Sequence, residues 1–240
     1  MANTYDLSGK SALVTGGAKG IGRAIVQRFL SSGANVCVWD QSEVRIERVQ
    51  SEVVDITRPA EIAAALQRTF PRNRIDIVVN DAGYLSVANA FESHAPDDWQ
   101  RIVAVNLMGT MQVTHAVLPR LIRDGGGRII NLGSLAGKEG LPGLAAYSAA
   151  SGGVIAFTKA LSREVVGRNV LVNCIAPGPI DTDMIRALGV DVVEKMIADS
   201  PMKRLGSTEE VAELAAWLAS DAGRFNAGAV FDMSGGRAKY

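Results

Sequence analysis

The chain has few residues of the kinds that build metal centres and disulfide frameworks. Its 240 residues include two cysteines and two histidines. Cys37 and Cys174 lie far apart in segments predicted as strands, where a small buried thiol is the ordinary state. His94 and His115 have no second histidine or carboxylate at ligand spacing. The sequence therefore predicts no metal site and no disulfide, and it favours a reduced, cytoplasmic location.

Net charge and long apolar runs are absent as well. Twenty-five acidic side chains balance 25 basic ones, which gives no electrostatic case for binding nucleic acid or an anionic membrane. No apolar run approaches the roughly 20 residues of a membrane helix. The first ten residues contain no hydrophobic stretch of the signal-peptide kind. We therefore expect no nucleic-acid partner, no membrane partner and no targeting segment.

What the chain has is an ordinary globular composition, 48% hydrophobic and 21% charged, and a regular alternation of strand and helix patterns. The alternation predicts an α/β fold, with one domain over residues 1–240 and a parallel sheet covered by helices on both faces. Helices are expected at residues 96–121, 147–166, 183–198 and 208–220. The strand ends would share the carboxyl edge of the sheet, where ligands bind in open α/β folds; they fall at Thr15, Asp40, Asp55, Asn80, Ser134 and Ala176.

A glycine-rich turn joins the first strand to the first helix. Residues 11–15 read as a buried strand, residues 15–22 are TGGAKGIG, and residues 23–30 carry apolar side chains at helical spacing. Glycine permits positive φ and close approach of the backbone to a phosphate, and the new helix directs free N–H groups at the anion. Asp40 follows about twenty residues later, at the end of the second strand. The turn is interpreted as a dinucleotide diphosphate site, with a plain surface turn as the alternative.

Beyond this loop, the chain resembles the short-chain dehydrogenase/reductase family in the type, order and spacing of its motifs, over essentially its whole length. The motifs are residues 15–22, Asn80-Asp81-Ala82-Gly83, Asn106, Ser134, Tyr147 and Pro177-Gly178-Pro179-Ile180-Asp181-Thr182. The resemblance implies a Rossmann-like doubly wound domain with a seven-stranded parallel sheet. It also implies hydride transfer between a nicotinamide coenzyme and a small-molecule carbonyl or secondary alcohol. Family members are commonly homotetramers or dimers, and the helices at 96–121 and 147–166 resemble the family's dimer contact.

The resemblance also implies catalytic roles. Tyr147 would be the acid in carbonyl reduction and the base in alcohol oxidation. Ser134 would bond the substrate oxygen, and Asn106 would hold a water of the proton relay. Each residue taken singly has a structural alternative: a helix-start aromatic for Tyr147, a turn or cap residue for Ser134, and a satisfied polar group in an apolar helix for Asn106.

One family residue is missing. The family pattern is Tyr-x-x-x-Lys, and here Ser151 stands four residues after Tyr147, on the same helix face. A serine carries no charge that could favour tyrosinate. Neither Lys138, expected in the loop after the serine motif, nor Lys159, about 12 Å along the helix, is a convincing substitute. We expect an intact nucleotide site with impaired turnover, most of all in alcohol oxidation near neutral pH. The alternative is a catalytically silent NAD-binding homologue, or an inactivated variant, that acts as a binding or partner protein.

A second departure is Asp81, where the family usually has an asparagine. A carboxylate keeps the hydrogen-bond acceptor of the amide and loses its donor. We expect some local loosening beside the coenzyme and no loss of the fold.

The expected coenzyme is NAD rather than NADP. Asp40 is placed to accept both adenosine ribose hydroxyls and would repel a 2′-phosphate, whereas Lys19 offers a phosphate only a weak attraction. Asp55 would reach the adenine amino group, unless it is a helix cap or a loop acid. The other coenzyme contacts implied by the motif positions are Gly16, Gly20, Ile21, Gly22, Ile56, Asn80, Ala82, Gly83, Tyr147, Pro177, Gly178, Ile180 and Thr182.

Two segments would surround the substrate. Residues 135–146 offer small apolar groups to the mouth of the site, and residues 183–205 are expected to form a lid over the coenzyme. A modest hydrophobic ketone, a 3-oxoacyl group or a sugar fits such walls, and the sequence does not choose between them.

Overall fold

Seven parallel strands form one sheet in a computed structural model that describes residues 5–70 and 74–239. The strand order is β3-β2-β1-β4-β5-β6-β7, so the direction of winding reverses between β1 and β4. The carboxyl ends beside this switch point are the usual ligand position in open α/β sheets. The predicted seven-stranded Rossmann-like sheet is confirmed. Its strands are β1 Ser11–Thr15, β2 Asn35–Asp40, β3 Val49–Val53, β4 Ile77–Asn80, β5 Gly127–Leu132, β6 Val170–Pro177 and β7 Val230–Met233.

Helices cover both faces of the sheet. On one face, α1 and α9 pack together, and buried side chains such as Ile25, Phe29 and Ala215 form one core. On the other face, α2, α4 and α6 contribute to a second core around Leu66, Val117 and other buried residues. The helices are α1 Gly20–Ser31, α2 Pro59–Thr69, α3 Pro96–Val103, α4 Thr110–Arg123, α5 Leu135–Glu139, α6 Ala145–Val165, α7 Asp183–Arg186, α8 Val190–Asp199 and α9 Thr208–Ala219.

The helix predicted at residues 96–121 contains an irregular turn. A π-helical stretch, Ala104–Gly109, separates α3 from α4. The Asn106 amide donates to the Ile102 carbonyl (2.9 Å), and the Thr110 hydroxyl donates to the Asn106 carbonyl (3.0 Å). Side chains thus take over main-chain acceptors of the helical ladder, which is a recognised cause of such bulges. Apolar periodicity does not detect this change, because the helix axis continues.

The lid segment also differs from its prediction. One helix was expected at residues 183–198, and two are present, α7 and α8. Gly189 separates them with φ +96°, a conformation that ends a helix and favours glycine. The third strand ends at Val53 rather than at Asp55, although the Val54 amide still bonds the Asp40 carbonyl (2.9 Å).

Both cysteines are buried in the strands predicted for them. Burial raises the pKa of the Cys37 thiol and of the Cys174 thiol to about 12. Thiols in this state are neutral at physiological pH and behave as small apolar groups.

One helical run, Pro96–Arg123, is long and apolar enough to cross a membrane by length and composition alone. Its buried side chains include Ile102, Val113 and Leu121, which are at most 1% exposed. These residues pack against the sheet and α6, and a core helix passes the same test. One side of the run therefore belongs to the helical layer over the sheet, and 39% of its apolar window is buried.

Candidate active site

The glycine loop between β1 and α1 is packed so tightly that side chains are excluded. Gly16 has φ +74°, and a Cβ added there would lie 2.7 Å from the Ala82 Cα. A Cβ on Gly22 would collide with the Gly16 carbonyl oxygen and lie 2.7 Å from Asp81 Oδ2. Real Cβ atoms do not approach other atoms so closely. The loop is therefore drawn back against the end of β4, which leaves its outer surface open for an anion.

The first turn of α1 directs main-chain donors at this loop, and no side-chain cap occupies its N-terminus. Lys19 is the N-cap in an extended conformation, and its side chain makes no capping bond. No acidic residue lies in the first turn. Gly20 has φ +57°, and a Cβ there would lie 3.5 Å from the Thr182 Cγ2. Ile21 turns inward onto the core of that face. Free N–H groups and the positive end of the helix dipole therefore point where a diphosphate is expected.

Asp40 holds its carboxylate against the same loop. Its Oδ2 accepts from the Ala18 amide at 3.0 Å, and its Oδ1 accepts from the Ser42 amide at 2.9 Å. These bonds fix a negative charge at the end of β2, beside the glycine loop. A 2′-phosphate on the adenosine ribose at this position would be repelled by this oriented carboxylate.

The end of β4 is joined to β1 through one hydroxyl. Thr15 Oγ1 accepts from the amides of Asp81 and Ala82, both at 3.2 Å. This places Ala82, followed by exposed Gly83, directly over the glycine loop. The polypeptide after β4 thus forms the second wall of the cleft.

The Asn80 side chain points into the protein interior, and its contact with a coenzyme stays a prediction. It is 3% exposed, and its amide donates to Thr114 Oγ1 (3.0 Å) and Asn131 Oδ1 (2.8 Å). Asn131 in turn donates to Thr158 Oγ1 (2.9 Å). This polar ladder crosses from α4 through β4 and β5 to α6, beneath the cleft. Its visible role is to tie these elements together.

Asp55 and Ile56 follow β3 at the outer end of the cleft. Asp55 Oδ1 accepts from the Thr57 amide (2.9 Å) and hydroxyl (2.7 Å). Partial burial raises the pKa of Asp55, but the bonds from Thr57 and the charge of Arg58 outweigh it, so the pKa lies below its ordinary value. Ile56 is buried against Gly109 of the π-helical turn. Asp55 therefore acts as a loop acid that stabilises its own turn, as the alternative interpretation expects. Its contact with adenine stays a prediction.

The segment after β6 closes the cleft from the other side. Pro177 ends β6 beside Met233 of β7, and Gly178 packs on the Ser234 backbone. Ile180 is buried and forms a parallel bridge with Gly206. Thr182 Oγ1 accepts from the Ile185 amide (3.4 Å) and so caps α7. The segment therefore sets α7 and the lid directly against the glycine loop.

Ser134, Tyr147 and Ser151 meet where β5 ends and α6 begins. Ser134 caps α5, accepting from the Ala136 amide at 3.1 Å. Burial raises the pKa of the Tyr147 phenol, hydrogen bonds with Ser134 and Ser151 oppose this rise, and the Asp81 charge adds to it. The net result is a phenol whose pKa lies above its ordinary value. Ser134 thus caps α5 and lies close enough to the phenol to lower its pKa.

Ser151 is buried at the contact between α5 and α6. It is 4% exposed, and a Cβ on Gly137 would lie 2.5 Å from the Ser151 carbonyl carbon. Helices α5 and α6 therefore touch at this position. Among the residues that the structure describes, no lysine or arginine contributes to the pKa of Tyr147.

The two lysines considered as substitutes are engaged or distant. Lys138 lies in α5 and not in a loop, which corrects the expectation, and its Nζ pairs with Asp232 Oδ2 at 2.8 Å. Lys159 lies exposed, two turns beyond Ser151 on α6. The position four residues after the phenol is thus filled by a hydroxyl alone.

Asn106 connects the π-helical turn to the cleft wall. Its Nδ2 donates to the Tyr84 carbonyl (2.7 Å), and its Oδ1 accepts from the Tyr84 amide (3.2 Å). A Cβ on Gly83 would lie 2.9 Å from the same Oδ1. The satisfied-polar-group alternative therefore applies to this side chain, and the water relay stays a prediction. Tyr84 was missed by the sequence reading, since only its place directly after Gly83 could have indicated it.

The chain is similar to known proteins over nearly its whole length. A family model described as enoyl-(acyl carrier protein) reductase matches residues 16–238. A 2-dehydro-3-deoxy-L-rhamnonate dehydrogenase (NAD(+)) from Sphingomonas sp. strain SKA58 is 34% identical over 97% of this chain and 97% of that relative. The 3-oxoacyl-[acyl-carrier-protein] reductase FabG of Chlamydia trachomatis is 37% identical over 97% of this chain and 98% of the relative. The chain belongs to the short-chain dehydrogenase/reductase family. As a member, it is an oxidoreductase of the carbonyl and alcohol class.

Solved structures of the family agree with this assignment. The 3-ketoacyl-(acyl-carrier-protein) reductase of Brucella melitensis, solved with NADH, matches with a TM-score of 0.91 and 29% identity over 97% of this chain and 100% of that chain. A protein from Beutenbergia cavernae, solved with NADP at low occupancy, matches with a TM-score of 0.92 and 29% identity over 98% and 99% of the two chains. Both coenzymes thus occur among short-chain dehydrogenase/reductase structures of this shape.

Proposed function

We propose that the protein is an NAD(H)-binding short-chain oxidoreductase that interconverts a small-molecule ketone and a secondary alcohol, and that Ser151 slows its turnover. The observation that carries the proposal is the environment of Tyr147. Burial raises the pKa of its phenol more than Ser134 and Ser151 lower it, and within the described residues no lysine or arginine is among the causes that lower it. The acid of a carbonyl reduction is in place, and the charge that would make it a base is missing.

Coenzyme binding is assigned to the cradle formed by Gly16, Gly20 and Gly22. The loop fits such a ligand because added Cβ atoms at Gly16 and Gly22 have no room, while the outer face and the α1 N-terminus are free of side-chain caps. Asp40 supports NAD over NADP, since its fixed carboxylate would repel a 2′-phosphate, and exposed Lys19 only weakly offsets that repulsion. A bound nicotinamide coenzyme would supply or accept hydride.

The residues of the chain divide the proton chemistry between two directions. In reduction, the neutral phenol of Tyr147 donates a proton to the substrate oxygen, and Ser134 donates a hydrogen bond to that oxygen. In oxidation, Tyr147 has to be deprotonated first. Because its pKa is raised above the ordinary value of about 10, the deprotonated fraction near pH 7 is below about one in a thousand. Reduction is therefore the less impaired direction.

The substrate is assigned to the space between residues 135–146 and the lid at residues 183–205. Exposed apolar side chains of the lid, Met184 and Met202, are available to cover a substrate. Apolar walls favour a modest ketone or a 3-oxoacyl group, and 3-oxoacyl is the substrate class in the name of the FabG relative. Main-chain groups would also suit a sugar-acid ketone, the substrate class in the name of the rhamnonate dehydrogenase relative. The chain is proposed to act as a single domain over residues 1–240. Residues 1–4, 71–73 and 240 of this range lie outside the described residues.

Self-association is proposed to use α4 and α6. Met108, Met111 and Val166 are exposed apolar side chains on or beside these helices, as a symmetric contact between copies would need. A homotetramer or dimer in the cytoplasm is the expected state.

A silent nucleotide-binding protein is the second candidate, and Ser151 is the observation that favours it. The two functions separate in one experiment. NADH consumption with a panel of ketones and NAD reduction with the corresponding alcohols are measured for the wild type, for Ser151→Lys, and for Gln67→Lys, which adds the same charge on the exposed side of α2. NADH and NAD binding is measured in parallel by tryptophan fluorescence.

The proposal predicts coenzyme binding by all three proteins and slow consumption by the wild type. General acid–base groups typically contribute about a hundredfold or more, so Ser151→Lys should raise alcohol oxidation near neutral pH by about that factor and ketone reduction by less, because the neutral phenol already serves as the acid. Gln67→Lys should change neither rate. Equal rates for wild type and Ser151→Lys would refute the role given to Ser151. Binding with no consumption by any of the three proteins would support the silent alternative.

A further inference from the structure

Asp81 lies directly beneath the proposed coenzyme loop. A Cβ built on Gly22 would touch Asp81 Oδ2 and the Gly16 carbonyl oxygen at once. The carboxylate and the loop carbonyl therefore border the same small space under the first turn of α1. The main chain of Asp81 is fixed there by the bond from its amide to Thr15 Oγ1.

Two oxygen acceptors face this space, and an ionised carboxylate offers no proton to share between them. A neutral carboxyl group can donate to a carbonyl oxygen, and so can a side-chain amide. Within residues 5–70 and 74–239, no lysine or arginine forms an ion pair with Asp81. Burial raises the pKa of Asp81 to about 7, the Gly22 amide partly opposes this rise, and the Asp40 charge adds to it.

We propose that Asp81 determines coenzyme affinity, and that the loop binds the coenzyme diphosphate most tightly when the Asp81 carboxyl is protonated. This inference rests on the proposed coenzyme site. In the neutral form, Asp81 donates to the loop and adds no charge beneath the diphosphate. In the ionised form, it places a second negative charge beside Asp40 and opposes the positive end of the α1 dipole. Coenzyme binding above neutral pH is then accompanied by uptake of a proton.

Other groups around Asp81 do not produce the same signal. Asp40 faces it from the end of β2, and Tyr147 faces it from α6. The glycine loop and α1 contribute main-chain groups. The pKa of Tyr147 is raised above its ordinary value of 10, so this phenol stays neutral between pH 6 and 8.5. A dependence that came from Asp40 would persist after Asp81 is replaced.

The test is calorimetric titration of NADH and of NAD into the full chain between pH 6 and 8.5, in two buffers of different ionisation enthalpy. For the wild type, the dissociation constant should rise about tenfold between pH 6 and pH 8, because only the protonated form binds well. Up to about one proton should be taken up per coenzyme at pH 8. Asp81→Asn should bind with no such pH dependence and no proton uptake, while Asp124→Asn, the same change at the end of α4, should behave as the wild type.

Equal pH dependence in wild type and Asp81→Asn, or no proton uptake by the wild type at pH 8, would overturn this inference alone. The wild-type measurement does not depend on the folding of any variant. If no protein binds either coenzyme at any pH, the proposed function fails together with this inference.

Discussion

Replacing Asp81 with asparagine should stabilise the coenzyme-free protein, and by more at pH 8 than at pH 5. The pKa of Asp81 is raised from 3.8 to about 7 in the folded protein, chiefly by burial. A carboxyl group with a raised folded pKa costs almost no stability below about pH 3, where it is mostly protonated in both states. The cost then grows as the pH rises from about 4 to about 7, and it is complete above that.

The size of the effect follows from the shift. Each unit of pKa difference is about 1.4 kcal/mol, so a shift of roughly three units corresponds to about 4 kcal/mol at pH 8. pH 5 lies only about one pH unit above the pKa of the unfolded carboxyl, so the cost in unfolding free energy at pH 5 is only about 1.4 kcal/mol. The Asp81→Asn variant avoids this cost and keeps the side-chain shape. Its advantage over the wild type should therefore grow by about 2 to 3 kcal/mol between pH 5 and pH 8.

Urea unfolding at fixed protein concentration measures this difference, since association between copies would otherwise change the apparent stability. Asp124→Asn controls for the loss of a carboxylate elsewhere. An advantage of Asp81→Asn that is the same at pH 5 and pH 8 would refute the reasoning, because a group that does not titrate between these values cannot be the cause.

Three further predictions concern the packing of Gly22, the buried bonds of Asn131 and the charge of Asp40. Gly22→Ala should destabilise the protein by about 2 kcal/mol or more in urea unfolding and weaken NADH binding, because its Cβ has no room, whereas Gly167→Ala, with nothing near its Cβ, should not; equal stability of the two variants would contradict the packing argument. Asn131→Ala should cost about 2 to 3 kcal/mol, since it removes the partner of two buried polar groups; a loss below 0.5 kcal/mol in the same assay would contradict this. Asp40→Ser should lower the ratio of NADP to NAD dissociation constants by about tenfold or more, and an unchanged ratio in fluorescence titration would remove Asp40 from coenzyme choice.

Much of the fold could be predicted from the sequence because its signals are local. Buried parallel strands read as short apolar runs, and the amphipathic helices between them show a clear period. The glycine loop is also local, since residues 15–22 carry both the turn and the start of α1. The same pattern placed Ser134 after the strand β5 and Tyr147 in the first turn of α6, where the structure has them.

The features that escaped prediction depend on contacts between distant segments. The orientation of the Asn106 side chain in the π-helical turn involves its bonds to Tyr84, which lies 22 residues away. Asn80 is turned inward by Asn131, 51 residues further on. The ion pair that holds Lys138 spans 94 residues, to Asp232. No periodic pattern along the chain records such pairings, so these side chains could be listed as candidates but not oriented.

The central claim is that Tyr147 is correctly placed and lacks the charge that would make it a base. The pH dependence of kcat for alcohol oxidation tests it most directly, compared between wild type and Ser151→Lys. A unit charge about 4 Å away in a partly exposed site is worth about 4 kcal/mol, or about three pKa units. The wild-type rate should climb about tenfold per pH unit up to pH 10 without levelling. The rate of Ser151→Lys should level at a pH about three units below the pKa of the wild-type phenol. A wild-type rate that already levels near pH 7 would contradict the claim.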